Sequence, residues 1–355
     1  MSALRVRAVN VPLPSPLLTA GGAVTSAPLV LIDLEAGDGI VGRAYLFCYT
    51  ALALRATRAL LEDLAPLVVG MPLAPRTIAA QFNARFRLLG PQGLTGMAMA
   101  GIDMAAWDAL AVAHDVPLCV LLGAEPRALA AYDSLGMMSA QDGVAQARRS
   151  AAAGFTAVKF KLGWPDVDTD VRFVDAVRTE LGPACEIMMD YNQCLDRGEA
   201  IRRGKLLERF GLRWIEEPCR ADDDASHAMV ARALDTPIQI GENWWGPNDA
   251  ARSLAADACD EMMLDVMKIG GVTGWLDAAA LAAPTGRRVS SHLFPEFSAH
   301  LLAATPQARY LEWLDLASPI LENAVAPSDG VFRIADRPGT GLRWNEDAVR
   351  RFAVS

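Results

Sequence analysis

The chain has 355 residues, of which 52% are hydrophobic, and its formal net charge at pH 7 is −9. A chain of this length and composition can bury more than one small core, so we expect a large domain with a smaller companion. The acidic balance argues against nucleic acid or an anionic membrane surface as a partner, because both favour clustered Lys and Arg. We therefore expect a small-molecule ligand.

The six cysteines are scattered without C-x-x-C spacing, which indicates reduced thiols. The N-terminus has no continuous apolar segment, and no uncharged apolar run of 18 residues occurs in the sequence. Neither a signal peptide nor a membrane span is predicted, and a cytoplasmic location is the expectation.

The first portion of the chain is predicted to be α+β. Strand-like runs, "RVRAVNVPL" and "PLVLIDLEAGDGIVGRAYLF", flank the small-residue segment "LLTAGGAVTSAP", which is expected to be a flexible loop. Helical patterns follow at 51–69, 75–89 and 95–114, separated by Pro and Gly.

From about residue 130, short apolar strands alternate with amphipathic helical stretches, a pattern typical of a parallel sheet built from βα units. The regular spacing of the strands favours a closed (β/α)₈ barrel over an open doubly wound sheet. The predicted strands are "LAAYDS", "TAVKFK", "CEIMMDYN", "LRWIEEP", "PIQIGEN", "EMMLDVM", "RRVSSHL" and "RYLEWLD". The last forty or so residues lose this rhythm and are expected to pack beside the N-terminal portion.

Each predicted strand ends on a polar or charged residue, at the end where barrel active sites lie. Asp190, Glu216 and Glu242 end three neighbouring strands and are spaced 26 residues apart. Carboxylates brought this close repel one another unless a cation lies among them. An all-oxygen ligand set favours Mg²⁺ over Zn²⁺, so we predict a magnesium site.

Structural salt bridges or helix caps are the alternative interpretation of these acids. Glu217 follows Glu216 directly, and the sequence does not settle which of the two faces the barrel interior. We expect Glu217 to point to the other side of its strand and to form a structural ion pair.

Two candidate bases end strands on nearly opposite sides of the predicted barrel, Lys161 on the second strand and His292 on the seventh. A substrate carbon between them is accessible from both faces. Asp265, on the strand beside His292, is placed to hold the imidazole tautomer. Lys159 and the metal ion are expected to lower the pKa of Lys161, and Lys159 to contact the substrate's carboxylate.

Removal of a proton next to a carboxylate gives an enediolate, whose negative oxygens require stabilisation. The metal ion is expected to bind one oxygen, and a protonated Glu312 to donate a hydrogen bond to the other. A helix cap or an ion pair is the alternative role for Glu312.

These residues lie in motifs that resemble the mandelate racemase subgroup of the enolase superfamily. The motifs are "AVKFK", "MMDYNQ", "WIEEP", "IGENWWGP", "DVMKIGGVTGW", "SSHLF" and "YLEWLD". The resemblance extends over nearly the whole chain and implies an α/β fold, a modified TIM barrel (β/α)₇β with an α+β capping domain. It implies that 1–125 form the N-terminal part of the capping domain, 126–317 the barrel, and 318–355 a C-terminal segment that returns to the capping domain.

The resemblance also implies site roles. The metal ligands, the two bases and their partners fall on matching positions: Asp190, Glu216, Glu242, Lys161, His292, Asp265, Glu312 and Lys159. Ser134 and Asn192 are expected to help bind the substrate's carboxylate and hydroxyl. A capping loop, residues 17–25 with Tyr49 nearby, is expected to cover the substrate.

The expected pocket lining is apolar, which suits a phenyl group better than a sugar chain dense in hydroxyls. It comprises Leu17, Val24, Tyr49, Leu293 and Leu314. Gly21 departs from the bulkier residue of the family, and its missing side chain is expected to widen the substrate range.

Together these features predict a Mg²⁺-dependent racemase that abstracts the α-proton of an aromatic, mandelate-like 2-hydroxy carboxylate by a two-base mechanism. Dehydration of a sugar acid by the same residues is the alternative. A non-catalytic ligand-binding protein would lack a base or a metal ligand, and every such position is filled. A homo-oligomer is expected, because barrel proteins with capping domains often bury apolar surface between subunits.

Overall fold

The computed structural model describes residues 1–354. The chain begins with an antiparallel sheet of strands β1 (Ala3–Thr19), β2 (Gly22–Glu35) and β3 (Val41–Phe47). Every residue of the central strand from Leu29 to Leu34 is buried. Both faces of this strand are therefore covered, which explains its apolar run from Leu29 to Ile32.

The segment 17–25 is the tip of a β-hairpin, so the prediction of a flexible loop is wrong. Leu17 pairs with Val24, and the pairing continues to Gly22, whose φ of +123° suits a tight turn. A register shift between Pro12 and Leu17 marks an irregularity where prolines cannot donate ladder hydrogen bonds. The small residues did not prevent strand pairing, because the ladder is formed by the backbone.

The sheet is followed by helices α1 (Ala51–Val68), α2 (Pro75–Arg85), α3 (Gly93–Ala113) and α4 (Leu118–Leu121). Helices α1 and α3 pack against the sheet, and α2 and α4 pack against α3. α3 is long and apolar enough to cross a membrane, but 72% of its most apolar 18-residue window is buried within the protein. It is a core helix. A Cβ added to its Gly101 would lie 2.5 Å from Ile32 Cδ1, so the glycine permits close packing on β2.

Parallel strands then form the barrel, and each strand predicted from the sequence is present. The strands are β4 (Ala128–Leu135), β5 (Ala157–Lys161), β6 (Glu186–Asp190), β7 (Trp214–Glu216), β8 (Ile238–Ile240), β9 (Glu261–Asp265), β10 (Arg288–His292) and β11 (Leu311–Trp313). The helices between them are α5 (Ala140–Ala152), α6 (Val167–Leu181), α7 (Arg197–Leu207), α8 (Asp224–Ala233), α9 (Pro247–Ala255), α10 (Gly271–Ala279), α11 (Ala282–Thr285) and α12 (Pro295–Ala303).

The barrel closes between β10 and the start of β11. The Ser291 N–H donates to the Tyr310 carbonyl at 3.0 Å, and the Arg309 N–H donates to the Val289 carbonyl at 2.8 Å. In the described part of the chain no α-helix follows β11 before the chain leaves the barrel. The architecture is therefore (β/α)₇β, as the resemblance implied, and not the (β/α)₈ barrel that the spacing of the strands suggested.

After β11 the chain adds strand β12 (Val331–Arg333), antiparallel to β4, and then reaches the first sheet. Helix α13 (Glu346–Phe352) lies against β1, and the Val354 N–H donates to the Ala8 carbonyl at 2.9 Å. The Trp344 indole N–H also donates to Asp33 Oδ1 on β2 at 2.8 Å. Both ends of the chain thus belong to the same layer above the barrel.

The barrel interior is layered. A buried apolar layer crosses the middle, formed by Tyr132, Ala157, Met188, Trp214 and Met263. At the N-terminal end of the strands, arginines and glutamates form an ion-pair network, Arg213 and Arg309 with Glu186 and Glu261. The candidate site lies at the opposite end, above the apolar layer.

Candidate active site

Strand pairing brings the predicted site residues to the C-terminal end of the barrel. Lys161 is paired with Asp190, and Asp190 with Glu216, on three neighbouring strands. On the other side of the ring, Asp265 of β9 is paired with His292 of β10. Paired positions on adjacent parallel strands share a face, which is why residues far apart in the sequence converge here.

Asp190, Glu216 and Glu242 form a compact carboxylate cluster. One oxygen from each lies within 4.8 Å of the others, and all three residues are buried. Burial and the neighbouring acids raise the pKa of Glu216 to about 8, against the opposing charge of Lys159. Glu242 Oε2 accepts no hydrogen bond from any residue in 1–354. Concentrated carboxylate oxygens with an unused acceptor fit a hard divalent cation such as Mg²⁺.

Lys161 Nζ lies 2.5 Å from Asp190 Oδ2. Burial lowers the pKa of Lys161, but the charges of Asp190 and Glu242 raise it by more than burial lowers it. The net pKa is therefore above the usual value for lysine. Lys159 lowers the pKa of Lys161, as predicted, but without a metal ion this effect is too small to make Lys161 neutral. Contact with a carboxylate outweighs both burial and repulsion between the two ammonium groups.

Lys159 is buried between two acids. Its Nζ lies 2.6 Å from Glu216 Oε1 and 2.8 Å from Glu312 Oε1. Ser134 Oγ donates to the same oxygen of Glu312 at 2.8 Å, and the Tyr132 ring lies below the ammonium group with its centroid 5.3 Å away. Lys159 and Ser134 thus lie side by side next to the carboxylate cluster, where the sequence predicted binding of the substrate's carboxylate.

His292 has a fixed orientation. Its Nδ1 lies 2.7 Å from Asp265 Oδ2, while Asp265 Oδ1 accepts the backbone N–H groups of Met267 at 2.8 Å and Lys268 at 3.0 Å. His292 Nε2 consequently faces the cluster, 3.3 Å from Glu242 Oε2. Burial lowers the pKa of His292, but the surrounding carboxylates, Glu242 first, raise it to a net value of about 8.

Glu312 accepts hydrogen bonds from both sides. Oε1 faces Lys159 and Ser134, and Oε2 accepts the Leu293 N–H at 2.9 Å. Burial raises the pKa of Glu312, but Lys159, His292 and these donors lower it to a value well below the usual range. The predicted protonated Glu312 is therefore wrong for this arrangement, since the surrounding donors stabilise the carboxylate.

Of the two adjacent glutamates in β7 and its following turn, Glu216 joins the cluster. Glu217 has φ +36°, and this left-handed turn keeps its side chain buried near Glu242. Its Oε2 accepts a hydrogen bond from Asn243 Nδ2 at 2.7 Å, and within residues 1–354 it has no ion-pair partner. The predicted structural ion pair of Glu217 is therefore wrong.

Asn243 and Lys268 were not predicted as site residues, although "IGEN" places Asn243 directly after Glu242 and "DVMK" places Lys268 three residues after Asp265. Lys268 Nζ donates to Asn243 Oδ1 at 2.5 Å, and both side chains lie beside the cluster. Asn192 was predicted, and it contacts the cluster directly. Its backbone N–H donates to Asp190 Oδ1 at 2.7 Å and its Nδ2 to Oδ2 at 2.9 Å.

The hairpin tip contacts the mouth of the barrel beside β4. The Met137 N–H donates to the Leu18 carbonyl at 2.8 Å, and a Cβ on Gly136 would lie 3.1 Å from Leu17 Cδ1. Val24 is paired with Leu17 at this tip and is half-buried. These contacts bring the predicted capping segment to the end of the barrel that carries the cluster.

Further predicted lining residues surround the same end. Tyr49 is 41% exposed, and its ring centroid lies 4.5 Å from Lys268 Nζ. Leu293 follows His292 with φ +52° and is buried, whereas Leu314, next after β11, is half-buried. The structure therefore places apolar and aromatic groups next to a strongly polar centre.

Comparison with known families decides the relationship. Residues 1–123 match the mandelate racemase/muconate lactonizing enzyme N-terminal domain, and residues 142–348 match the enolase C-terminal domain-like family. The chain belongs to the enolase superfamily. Within that superfamily it belongs to the mandelate racemase/muconate lactonizing enzyme group. The prediction made from the motifs is confirmed.

Characterised relatives of this enolase-superfamily chain differ in their reactions. L-talarate/galactarate dehydratase of Salmonella typhimurium is 36% identical over 268 residues, which cover 74% of this chain and 67% of the relative. The 3,6-anhydro-alpha-L-galactonate cycloisomerase of Streptomyces coelicolor is 29% identical over 357 residues, 99% of each chain. A dehydratase and a cycloisomerase thus occur among the relatives, and the family alone does not select a reaction.

Solved structures of related proteins have the same fold as this chain. An enolase from Bradyrhizobium complexed with magnesium and mandelic acid superposes with a TM-score of 0.97 at 44% identity, covering 100% of this chain and 98% of that one. The Salmonella typhimurium talarate/galactarate dehydratase with Mg and L-lyxarohydroxamate gives 0.93 at 28% identity, covering 100% and 93%. The predicted capped TIM-barrel fold is confirmed.

Proposed function

We propose that this enolase-superfamily protein is a Mg²⁺-dependent racemase of an aromatic 2-hydroxy carboxylate such as mandelate. One observation carries the proposal: two candidate bases contact the same carboxylate cluster from different strands. Lys161 Nζ lies 2.5 Å from Asp190, and His292 Nε2 lies 3.3 Å from Glu242. A substrate whose carboxylate is bound at the cluster would have its α-carbon between the two bases.

Asp190, Glu216 and Glu242 would hold Mg²⁺, which supplies positive charge to the substrate's carboxylate oxygens when bound. With Mg²⁺ bound, the carboxylate charges that raise the pKa of Lys161 would be offset, which favours its neutral form. Neutral Lys161 removes the α-hydrogen of one enantiomer as a proton, and the electron pair remains on the substrate as an enediolate. His292 then delivers a proton to the opposite face of the same carbon, which inverts it. For the other enantiomer the two residues exchange roles.

The remaining residues position the substrate and the imidazole. Asp265 accepts the Nδ1–H of His292 and so keeps Nε2 directed at the α-carbon. Lys159 offers a donor to the substrate's carboxylate and Asn192 a donor to its hydroxyl. Ser134, whose hydroxyl donates to Glu312, helps to fix the acid that holds Lys159. Glu312, ionised and fixed by Lys159, holds that ammonium group in place.

An aromatic substrate is supported by two independent features. Leu17 and Val24 bring apolar groups to the mouth of the barrel, and Leu293 follows the His292 base. The Bradyrhizobium enolase, at 44% identity, is the structure complexed with mandelic acid. Apolar lining disfavours a chain of hydroxyl groups, which would lose hydrogen bonds to water on binding.

Dehydration of a sugar acid is the second candidate, because a talarate/galactarate dehydratase is 36% identical. In that reaction one base removes the α-proton and the other protonates the departing β-hydroxyl. The carbon–oxygen bond breaks, water leaves, and the resulting enol becomes a 2-keto acid. The polar side chains of half-buried Asn243 and buried Lys268 at the mouth would suit a hydroxylated substrate.

The test is proton exchange in D₂O. The purified protein is incubated with Mg²⁺ and each mandelate enantiomer, and α-proton loss and optical rotation are followed together. Racemisation predicts deuterium incorporation and decay of rotation to zero from both enantiomers. If mandelate does not exchange while galactarate loses water to a 2-keto acid, the dehydratase is the correct assignment.

A further inference from the structure

Three polar side chains beside the carboxylate cluster have no role in the proposed reaction: Glu217, Asn243 and Lys268. Asn243 joins the other two. Its Oδ1 accepts from Lys268 Nζ at 2.5 Å, and its Nδ2 donates to Glu217 Oε2 at 2.7 Å. Glu217 is 1% exposed and Lys268 7%, while Asn243 between them is half-buried, so the two ends of this chain of contacts are shielded from water. Buried polar groups linked in this way hold one another in fixed orientations.

The chemistry of Lys268 fixes the orientation of the Asn243 amide. An ammonium group only donates hydrogen bonds, so the amide oxygen must face Lys268 and the amide nitrogen must face the acids. That nitrogen also lies 3.2 Å from Glu242 Oε1. Glu242 Oε1 is thereby engaged, while Glu242 Oε2 accepts no hydrogen bond from residues 1–354 and faces His292 Nε2 at 3.3 Å. Oε1 of Glu242 is therefore held by Asn243, and Oε2 remains free to bind a metal ion at the cluster.

The capping domain contributes to this arrangement through Tyr49. Its ring lies over Lys268 Nζ, with the centroid 4.5 Å away. A cation under an aromatic face is stabilised there and shielded from solvent on that side. The contact therefore keeps the ammonium group pointing towards Asn243.

We infer that Lys268, acting through Asn243, is a positioning residue that orients Glu242 to bind the metal ion. The inference rests on the proposed function, since it takes Glu242 as a metal ligand. It assigns to Lys268 an effect on metal affinity although its own cationic group cannot coordinate a metal. Hydrogen-bonded partners of metal ligands commonly have this effect.

The test is Mg²⁺ affinity, measured by isothermal titration calorimetry without substrate. Lys268→Met removes the ammonium group but keeps an unbranched side chain beneath Tyr49, and Asn243→Ala removes the link to Glu242. We expect the Kd to rise on the order of 10- to 100-fold in both variants. The control is Lys205→Met on α7, whose exposed ammonium group is paired with Glu208 at 3.0 Å, and the Kd of this variant should not change.

The double variant separates positioning from a general loss of structure. If Lys268 acts only through Asn243, Lys268→Met combined with Asn243→Ala should bind Mg²⁺ as weakly as Asn243→Ala alone, and no more weakly. Urea unfolding without metal shows whether each variant is folded. Should Lys268→Met not fold, the comparison of Asn243→Ala with Asn248→Ala, an exposed asparagine, still tests the link to Glu242.

Two results would overturn the inference while leaving the proposed function intact: wild-type binding of Mg²⁺ with both single variants within twofold of it, or losses that multiply in the double variant. If the wild-type protein binds no Mg²⁺, the proposed function itself fails. The two failures are therefore distinguishable in one set of titrations.

Discussion

Lys161 and His292 reach one carboxylate cluster from different sides, with Lys161 Nζ 2.5 Å from Asp190 Oδ2 and His292 Nε2 3.3 Å from Glu242 Oε2. Lys161 ends β5 and His292 ends β10, so closure of the barrel, and no local motif, brings them together. The two bases thus lie on different strands and have different hydrogen-bond partners, Asp190 for Lys161 and Asp265 for His292.

Removal of either Lys161 or His292 should leave the other residue able to exchange the α-proton of one enantiomer. We expect Lys161→Ala and His292→Asn each to reduce racemisation by about 10²- to 10⁴-fold, the usual contribution of a general base. Each variant should still exchange the α-proton of one mandelate enantiomer, and the retained enantiomer should differ between the two. NMR in D₂O measures this directly, and equal loss for both enantiomers in both variants would contradict the two-base mechanism.

Asp265→Asn tests whether Asp265 sets the tautomer of the His292 imidazole. Asp265 Oδ1 accepts the N–H groups of Met267 and Lys268, so the carboxamide oxygen should take that position and the NH₂ group should face His292 Nδ1. The imidazole would then carry its proton on Nε2 and could not accept another there. We expect exchange to fall about 10²-fold or more for the enantiomer that uses His292.

The Lys161-dependent enantiomer is the internal control for this variant. Its exchange should be much less affected, because Lys161 lies on a different strand from Asp265. A similar loss for both enantiomers would show that Asp265→Asn disturbs the whole site.

Arg213 should be important for stability but not for catalysis. It bridges Glu261 and Glu186 at the N-terminal end of the barrel, below the apolar layer. Arg213→Met leaves the largely buried Glu261 without its nearest cation, and we expect the free energy of unfolding to fall by about 3 kcal/mol. Urea unfolding provides the measurement. Arg148→Met, at an exposed pair with Glu180, is the control and should cost less.

His300 should make stability depend on pH. Burial lowers its pKa to about 4, and its Nδ1 accepts the Cys119 N–H at 3.1 Å, a contact that protonation of Nδ1 would break. The unfolded chain binds this proton near pH 6.5, so the contribution of the neutral His300 is complete above pH 6.5 and is lost as the pH falls towards 4. The full effect amounts to about 3 kcal/mol.

The measurement compares wild type with His300→Asn by urea unfolding at pH 5 and pH 7. The asparagine oxygen can accept the Cys119 N–H without titrating, so the variant should lose less stability on acidification. Glu296, one turn earlier on α12, has a pKa raised to about 7 by burial and contributes in the opposite direction. Its contribution is common to both proteins and cancels in the comparison. Identical pH dependence in the two proteins would contradict the prediction.

The sequence predicted those parts of the molecule that depend on regular repetition. Parallel strands recur once per βα unit, so the 26-residue spacing of Asp190, Glu216 and Glu242 was sufficient to predict a shared site. Side-chain alternation along β5 likewise explains why Lys159 and Lys161 share a face. The residues that the pattern brought together do lie together.

The sequence did not predict features that depend on irregular backbone or on long-range charge. Glu217 remains on the site side because of its left-handed φ, which strand alternation does not anticipate. The raised pKa of Lys161 depends on the distance to Asp190, and the lowered pKa of Glu312 on Lys159. Such shifts follow from a few ångströms of geometry that residue order does not contain.

The hairpin of β1 and β2 has a consequence for protein engineering. The tip that contacts the barrel mouth is covalently remote from the acids and bases, and it rests on the barrel chiefly by backbone contact, as at Leu18 and Met137. Its side chains can therefore be exchanged without moving the reacting groups. A Cβ on Gly21 would lie 3.6 Å from Thr19 Oγ1, an ordinary van der Waals contact, so a larger residue can be placed there. A library of variants confined to this turn would change substrate selectivity while the catalytic residues stay the same. The turn is therefore a short segment in which the enzyme can be redirected to new acids.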